Sequence, residues 1–271
     1  MNETPFFFGA EGQARFGVLH RASPGQAAGA AAFVFCHPLT EEKLWTHRVF
    51  VTFARELAAA GHTVLRFDYR GNGDSDGEFS GCTLDSLLED VRAAIAEVRR
   101  VEGVRTVTLL GLRAGGLLAT LIADAPDAGV DRLVLWAPIT DGARYMQDLL
   151  RINLTTQMAT DKEVRYDREA LVEQMKQGAT VNVDGYELAY PLYAAVTATK
   201  LTTTPRSFTG PCLIVQIDRQ TGRADAELQK LAAGFASATL VTAQEEPFWK
   251  ELARFYDHAP NLSAATRDWL R

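Results

Sequence analysis

The residue with the most unusual chemistry is Arg113, which stands in a turn between an apolar strand and an apolar helix in the segment TLLGLRAGGLLATLIAD. This context predicts a nucleophile elbow, a strained turn that presents one residue at the edge of a sheet. Gly111, Ala114 and Gly115 are small, as a turn that packs backbone against backbone requires. A guanidinium stays protonated and has no lone pair to offer. Arg113 can therefore be neither a nucleophile nor a general base.

Other motifs that could carry chemistry do not fit their surroundings. The turn lacks the glycine spacing of a dinucleotide-binding loop, and Leu117 stands where a phosphate-binding loop needs lysine. A G-x-S-x-G pattern does occur around Ser75, but it lies in a long polar loop and no helix begins there. We therefore interpret Ser75 as a loop residue, and we expect no cofactor and no metal.

Short apolar runs alternate with helical patterns along most of the chain, which predicts an α/β fold with a mostly parallel sheet flanked by helices. The predicted strands cover 14–22, 31–36, 63–69, 105–110, 132–137, 211–217 and 238–243, and the predicted helices 42–60, 83–100, 114–124 and 224–236. The alternation stops between 139 and 206. We interpret 1–138 and 207–271 as the core and 139–206 as an inserted cap over the carboxyl edge of the sheet, where open α/β sheets bind ligands.

Composition excludes several classes of protein. The formal net charge is −6, which argues against nucleic-acid binding, because that needs a clustered basic surface. No apolar run is long enough for a membrane span, and the amino terminus lacks the pattern of a signal peptide. Three widely spaced cysteines suit free thiols in a reducing compartment. These features predict a cytoplasmic protein with a small-molecule substrate.

Several motifs together resemble a known superfamily. FCHP, FDYRGNGDSDG and the elbow resemble the serine-aminopeptidase and thioesterase-like branch of the α/β hydrolases over about 31–270. HPLTEEK, GLRAGG, GYELAYPL and PFW resemble, more narrowly, the exosortase A system-associated hydrolases of type 2. The resemblance implies the α/β-hydrolase fold, hydrolase activity and a link to exopolysaccharide metabolism.

The chain departs from this superfamily at all three positions of the catalytic triad. Arg113 replaces the nucleophile, and Gln220 stands at the position of the acid, with Asp218 two residues earlier. After the last strand, where the superfamily has its histidine, the chain reads AQEEPFW and offers Glu245 and Glu246. His258 comes about a dozen residues too late. The sequence therefore predicts a charged site in place of a Ser-His-Asp triad.

A buried arginine needs a negative partner, because an unpaired buried charge costs several kcal/mol. The partner of Arg113 is either a ligand carboxylate or phosphate, or one of the protein carboxylates Asp141, Asp218, Glu245 and Glu246. His37 is a candidate acid or base, and the backbone amides of Leu39 and Ala114 are candidates for an oxyanion-type pocket. His47 is expected to line the pocket, whereas Cys36 is expected to be a small buried hydrophobe.

Two hypotheses follow. In the first, the protein is a non-serine hydrolase for an anionic ester or thioester: Arg113 orients the anion, the amides of Leu39 and Ala114 polarise a carbonyl, and Glu246 handles a proton. In the second, it is a catalytically inactive pseudo-hydrolase that binds a ligand or partner. An apolar stripe in the predicted cap, at Met146, Leu149, Leu150 and Ile152, is typical of a core or an interface and leaves a homodimer through the cap open.

Overall fold

Apolar runs of five to seven residues form the strands of the central sheet. The computed structural model describes residues 2–22, 31–101, 103–163, 165–220, 222–252 and 255–271. The strands of the main sheet are β1 (Asn2–Phe8), β2 (Arg15–Arg21), β3 (Ala31–Cys36), β4 (Thr63–Phe67), β5 (Thr106–Leu112), β6 (Arg132–Trp136), β9 (Cys212–Asp218) and β10 (Ala238–Gln244), and a separate hairpin contains β7 (Val181–Val183) and β8 (Tyr186–Leu188).

The eight strands of the main sheet lie in the order β1-β2-β4-β3-β5-β6-β9-β10. From β4 to β10 every neighbouring pair is parallel, whereas β2 pairs antiparallel with both of its neighbours, β1 and β4. The interior strands are buried on both faces, as parallel strands covered by helices must be. This is the α/β-hydrolase fold, and the predicted fold class is confirmed.

Helices cover both faces of the sheet. They are α1 (Glu41–Ala59), α2 (Leu84–Val98), α3 (Ala114–Ala123), α7 (Ala226–Ala233) and α8 (Pro260–Leu270). Apolar side chains of α2 and α3 form one core cluster with the sheet, and those of α1 pack with Trp136 on the opposite face. At the start of α2, Thr83 and Ser86 form a capping box, in which each side chain accepts a hydrogen bond from the other residue's amide.

Between β6 and β9 the chain forms α4 (Gly142–Asp161), α5 (Arg168–Lys176), the β7–β8 hairpin and α6 (Tyr190–Thr197). Tyr186 of the hairpin packs edge-on against Phe79 of a short 3-10 turn in the core, with ring centroids 5.3 Å apart. Met146, Leu149 and Leu150 are buried inside this chain. The apolar stripe is therefore core, so these three side chains supply no surface for a homodimer. The division at 139 and 206 stays a prediction.

No helix within the described ranges is both long and apolar enough to cross a membrane.

Candidate functional site

The turn between β5 and α3 holds Arg113 in a backbone conformation that L-residues rarely adopt. Its φ is 55° and its ψ is −120°. The Arg113 amide donates to the carbonyl of Trp136 at 3.1 Å, and its carbonyl accepts from the amide of Ile139 at 3.1 Å. Such strain persists only where surrounding structure enforces it, and it is concentrated at functional sites. The geometry is that of an elbow with a guanidinium at its tip.

The glycines of the elbow are required by close backbone contacts. A Cβ atom on Gly111 would lie 2.3 Å from the Gly115 carbonyl oxygen, and one on Gly115 would lie 2.0 Å from the carbonyl oxygen of Cys36. The first turn of α3 therefore packs directly against the end of β3. This packing brings the segment from His37 to Leu39 beside the elbow.

Glu42, in the first turn of α1, is the carboxylate that faces Arg113. Its Oε1 accepts from Nε of Arg113 at 3.1 Å and from Nη2 at 3.0 Å. Trp249 and Tyr145 flank the guanidinium, whose central carbon lies 5.0 Å and 5.9 Å from their ring centroids. Aromatic faces attract a cation at these distances. One carboxylate and two rings thus fix the orientation of the Arg113 side chain.

Burial and Arg113 act in opposite directions on the proton affinity of the Glu42 carboxyl. The side chain is 15% exposed. Burial raises the pKa of its carboxyl above the ordinary value, although the charge and hydrogen bonds of Arg113 oppose this shift. Its second oxygen, Oε2, is buried and has no hydrogen-bond partner within the described part of the chain. Glu42 is therefore a carboxyl group beside the elbow whose proton affinity is set by burial and by Arg113.

Arg113 and Glu42 line a cavity of about 400 Å³, which we call the elbow cavity. Tyr145 and Leu149 of α4 and Trp249, from the loop after β10, form further parts of its wall, and Glu41, Asp184, Lys250 and Glu251 carry charge around it. Burial, followed by the charge of Asp184, raises the pKa of Glu41. Asp148 and Arg151 also line the cavity and pair with each other. With Arg113 paired to Glu42, the remaining carboxylates Glu41, Asp184 and Glu251 outnumber the one remaining cation of the wall, Lys250. The elbow cavity therefore does not favour an anionic ligand.

The four carboxylates predicted as partners of Arg113 all bind elsewhere, so that expectation is wrong. Glu246 pairs with Arg219 at 2.6 Å, and Glu245 is buried and accepts from the Asn261 amide at 2.7 Å and from the Tyr256 hydroxyl. Asp218 accepts from the amide of Gln220 at 3.2 Å, and Asp141 caps α4 and pairs with Lys200 at 3.1 Å. Three of them were sought where the superfamily places its acid and histidine, and Asp141 at the start of the predicted cap, whereas the partner lies in α1.

Leu39 and Ala114 are buried beside the elbow. Neither backbone amide has a hydrogen-bond acceptor among the described residues. Ala114 begins α3, where unpaired amides and the helix dipole favour negative charge. The two amides therefore have no acceptor within the described chain, and their oxyanion role stays a prediction.

His37 and His47 line a different cavity on the other side of the first turn of α1. His37 is buried, its ring packs against Phe50 at 4.7 Å, and burial holds its pKa well below the ordinary value. The structure thus separates both histidines from the elbow cavity, and the catalytic role expected of His37 has no support in this placement.

Three other candidates have structural roles. The Ser75 hydroxyl donates to the carbonyl of Asp68 at 2.7 Å and accepts from the amide of Phe16 at 2.9 Å, as a loop residue would. Burial raises the pKa of the Cys36 thiol to about 12, so this cysteine is no nucleophile. His258 precedes α8 and pairs with Glu56 at 2.8 Å.

Glu42, Tyr145 and Trp249 line the site but were not predicted from the sequence as site residues. Glu42 lies in HPLTEEK and Trp249 in PFW, two motifs that were used only as evidence of resemblance, whereas Tyr145 lies in neither. Adjacent acidic residues at a helix start are usually favourable partners of the helix dipole, so they give no reason to expect an ion pair across the fold. No group of three or more potential metal ligands occurs in the parts of the chain that the structure describes.

Comparison with known proteins identifies the family. The model of the family described as serine aminopeptidase, S33, matches residues 28–233. The chain belongs to this family. A relative, the quorum-quenching protein AidA of Acinetobacter baumannii (strain MDR-ZJ06), is 38% identical over 103 residues, which cover 36% of this chain and 33% of that protein. The match thus spans about a third of that relative's length.

Solved structures agree on the fold. Est1E from Butyrivibrio proteoclasticus superposes with a TM-score of 0.68 at 16% identity, covering 98% of this chain and 97% of that one. The enol-lactonase from Burkholderia xenovorans LB400 gives a TM-score of 0.62 at 18% identity, covering 98% and 99%. At these identities the likeness concerns the fold alone, so the chemistry must be argued from Arg113 and Glu42.

Proposed function

We propose that this protein hydrolyses a small ester or thioester with an activated water and without an acyl-enzyme intermediate. The observation that carries the proposal is the Arg113–Glu42 pair at the strained elbow, facing the elbow cavity. A carboxyl group whose pKa is raised by burial beside a specific charge partner is typical of a general acid or base. The role that the sequence suggested for Glu246 thus passes to Glu42.

The reaction uses groups that lie around the elbow. The amides of Leu39 and Ala114 donate to the carbonyl oxygen of the substrate, and Glu42 takes a proton from a water molecule as that water attacks the carbonyl carbon. When the tetrahedral intermediate collapses, the same proton goes to the departing alcohol or thiol. Arg113 orients the carboxylate and stabilises its charged form.

The substrate expected from the sequence carried an anionic group bound by Arg113. Glu42 now satisfies that charge, and Glu41, Asp184 and Glu251 surround the cavity. We therefore propose a neutral acyl group for the elbow cavity. The connection with exopolysaccharide metabolism stays a prediction from resemblance.

A panel of short and long acyl esters and thioesters tests the proposal. Glu42→Gln should lower kcat by about 100-fold or more, the usual contribution of a general base, with a small change in KM. Glu41→Gln is the matched control, since Glu41 lies in the same helical turn and cavity but does not contact Arg113. The wild-type rate should also rise with pH as Glu42 ionises, and this rise should vanish in Glu42→Gln.

A serine-directed fluorophosphonate should leave the activity intact. Equal rates for wild type and Glu42→Gln, or stoichiometric labelling by the fluorophosphonate, would contradict a water mechanism through Glu42.

The second candidate function is ligand binding without catalysis. Glu245, Glu246 and Asp218 are engaged in other contacts, so none of them can assist a reaction at Arg113. Among the described residues, Glu42 is the one carboxylate that contacts Arg113, which favours this second function. In that case no ester turns over, while ligands of the elbow cavity still raise Tm in wild type and not in Arg113→Ala.

A further inference from the structure

A second cavity, of about 460 Å³, lies between α1 and the β2 and β4 strands. We call it the Arg66 cavity. Arg66, Lys43 and His47 contribute its cationic and titratable groups, and Phe16, Val18 and Tyr186 form apolar parts of its wall. The first turn of α1 divides it from the elbow cavity, since Glu41 and Glu42 line one and Lys43 lines the other.

Arg66 is a buried cation without a direct carboxylate partner. It is only 7% exposed, and within the described ranges no carboxylate oxygen lies within 4 Å of its guanidinium. Its Nε donates to Nε2 of His20 at 3.0 Å, and burial lowers the pKa of His20 to about 4, so this histidine is a neutral acceptor. Glu3 lies beyond it, with Oε1 3.5 Å from Nδ1 of His20, and acts on Arg66 without contacting the guanidinium. Buried charges in proteins are normally paired, because desolvation of an unpaired ion is costly.

Asp68 and Asp74 line this cavity, and the Asp68 carboxylate is already engaged. Asp68 pairs with Lys43 at 2.7 Å and also accepts from the amide of Asp74 at 3.2 Å. Glu3 and Asp68 are negative charges that act on Arg66, but neither contacts its guanidinium. After burial, the charges of Lys43 and Arg66 lower the pKa of both His37 and His47.

Apolar surface adjoins this charge. Phe16 and Val18 lie two residues apart on β2, so both point to the same face of the sheet, and each is half-buried. Tyr186 from the β7–β8 hairpin forms another part of the wall and is also half-buried. A ligand that fits these walls has an apolar portion of modest size next to its charged group.

We propose that the Arg66 cavity binds a small organic anion, whose carboxylate or phosphate group pairs with Arg66 and whose apolar portion lies on Phe16 and Val18. A guanidinium can hold either oxyanion through two parallel hydrogen bonds. The site is separate from the hydrolytic site proposed at Arg113, and its occupancy does not depend on that activity.

Calorimetric titration with hexanoate, hexyl phosphate and inorganic phosphate tests this proposal. Whichever of hexanoate and hexyl phosphate binds more tightly identifies the preferred head group. Inorganic phosphate alone should bind at least ten-fold more weakly than hexyl phosphate, because it lacks the apolar part. Arg66→Met should weaken the preferred ligand by ten-fold or more. Arg113→Met is the matched control and should leave this affinity unchanged while altering the elbow cavity.

Two further measurements guard against a folding artefact. Arg66→Met removes a buried charge that has no direct carboxylate partner, so its Tm without ligand should equal or exceed that of wild type. Val18→Phe keeps Arg66 but fills part of the cavity, and it should also weaken binding of the preferred ligand by at least ten-fold. Undiminished binding in Arg66→Met or in Val18→Phe, or loss of binding in Arg113→Met alone, would overturn the assignment.

Discussion

At the scale of single residues, the elbow carries a charge that the surrounding protein must stabilise. Arg113 is 19% exposed, and its neighbours supply one carboxylate and two aromatic faces. Removing one partner of such a pair costs more than the pair contributes, because the other charge stays buried. If Arg113 is removed, Glu42 is the buried charge that loses its partner.

The first prediction concerns stability and pH at Glu42. Its pKa in the folded protein lies above its unfolded value of about 4.3. Between those two values the folded state binds more protons than the unfolded state, so the free energy of unfolding falls as pH rises through this window. Arg113→Met removes the group that lowers this pKa, so it should extend the decline to higher pH and cost roughly 3 kcal/mol when Glu42 is charged.

Urea unfolding of wild type, Arg113→Met and the double variant Arg113→Met/Glu42→Gln, at several pH values from about 4 to 8, measures this effect. The double variant should recover most of the loss at the high-pH end, because no buried charge remains. A parallel pH profile for Arg113→Met and the double variant would show that Glu42 is not the group responsible.

The need for a negative partner could be predicted from Arg113 itself, but the partner could not. Three of the four candidates were chosen after β9 and β10, where a triad keeps its acid and histidine, and the fourth, Asp141, at the start of the predicted cap. A guanidinium extends several atoms beyond the turn, and the close packing of Gly115 on Cys36 brings the start of α1 within its reach. That contact joins residues 71 positions apart, and nothing in the local pattern around Glu42 indicates it.

At the scale of elements, the strands and helix starts that depend on short stretches of sequence could be predicted. Continuous apolar runs indicated β3 and β5, and Thr83 before an amphipathic segment indicated the start of α2. The edge strand β1 was not predicted. Its segment NETPFFF includes Pro5 and lacks a continuous buried run, and it becomes a strand by antiparallel pairing with β2.

The elbow gives the prediction at this scale. Gly115→Ala should destabilise the protein by more than about 3 kcal/mol, because its Cβ would meet two backbone carbonyl oxygens that cannot move away. Gly81→Ala is the matched control, since a Cβ there meets nothing within 4 Å, and its effect should stay within about 0.5 kcal/mol. Thermal unfolding of the two variants measures the difference, and similar Tm values would mean that the turn adjusts freely.

At the scale of the whole molecule, two cavities lie on either side of the first turn of α1, and the β7–β8 hairpin reaches both. Asp184 lines the elbow cavity and Tyr186 lines the Arg66 cavity. The position of this hairpin relative to the core therefore bears on both proposed sites. A separate buried network fixes the amino-terminal part of the core, and Asp90 of α2 is at its centre.

Asp90 is fully buried and joins three segments that are distant in sequence. Its Oδ1 accepts from Nε of Arg15 at 2.7 Å and from Nε of Arg70 at 2.6 Å, and its Oδ2 accepts from the Arg70 amide at 2.8 Å. It thus ties the start of β2 and the loop after β4 to α2. The loop includes Gly73 and Asp74, which line the Arg66 cavity, so the same network also supports one boundary of that cavity.

Asp90→Ala should cost about 3–5 kcal/mol, because it leaves two largely buried guanidinium groups close together without their carboxylate. Glu89→Ala is the matched control: this neighbour also pairs with Arg70, but it is 61% exposed, and screened surface pairs contribute less than about 1 kcal/mol. Urea unfolding followed by tryptophan fluorescence separates the two variants. If Asp90→Ala lost no more stability than Glu89→Ala, the three segments would have to be held together by apolar packing rather than by this carboxylate.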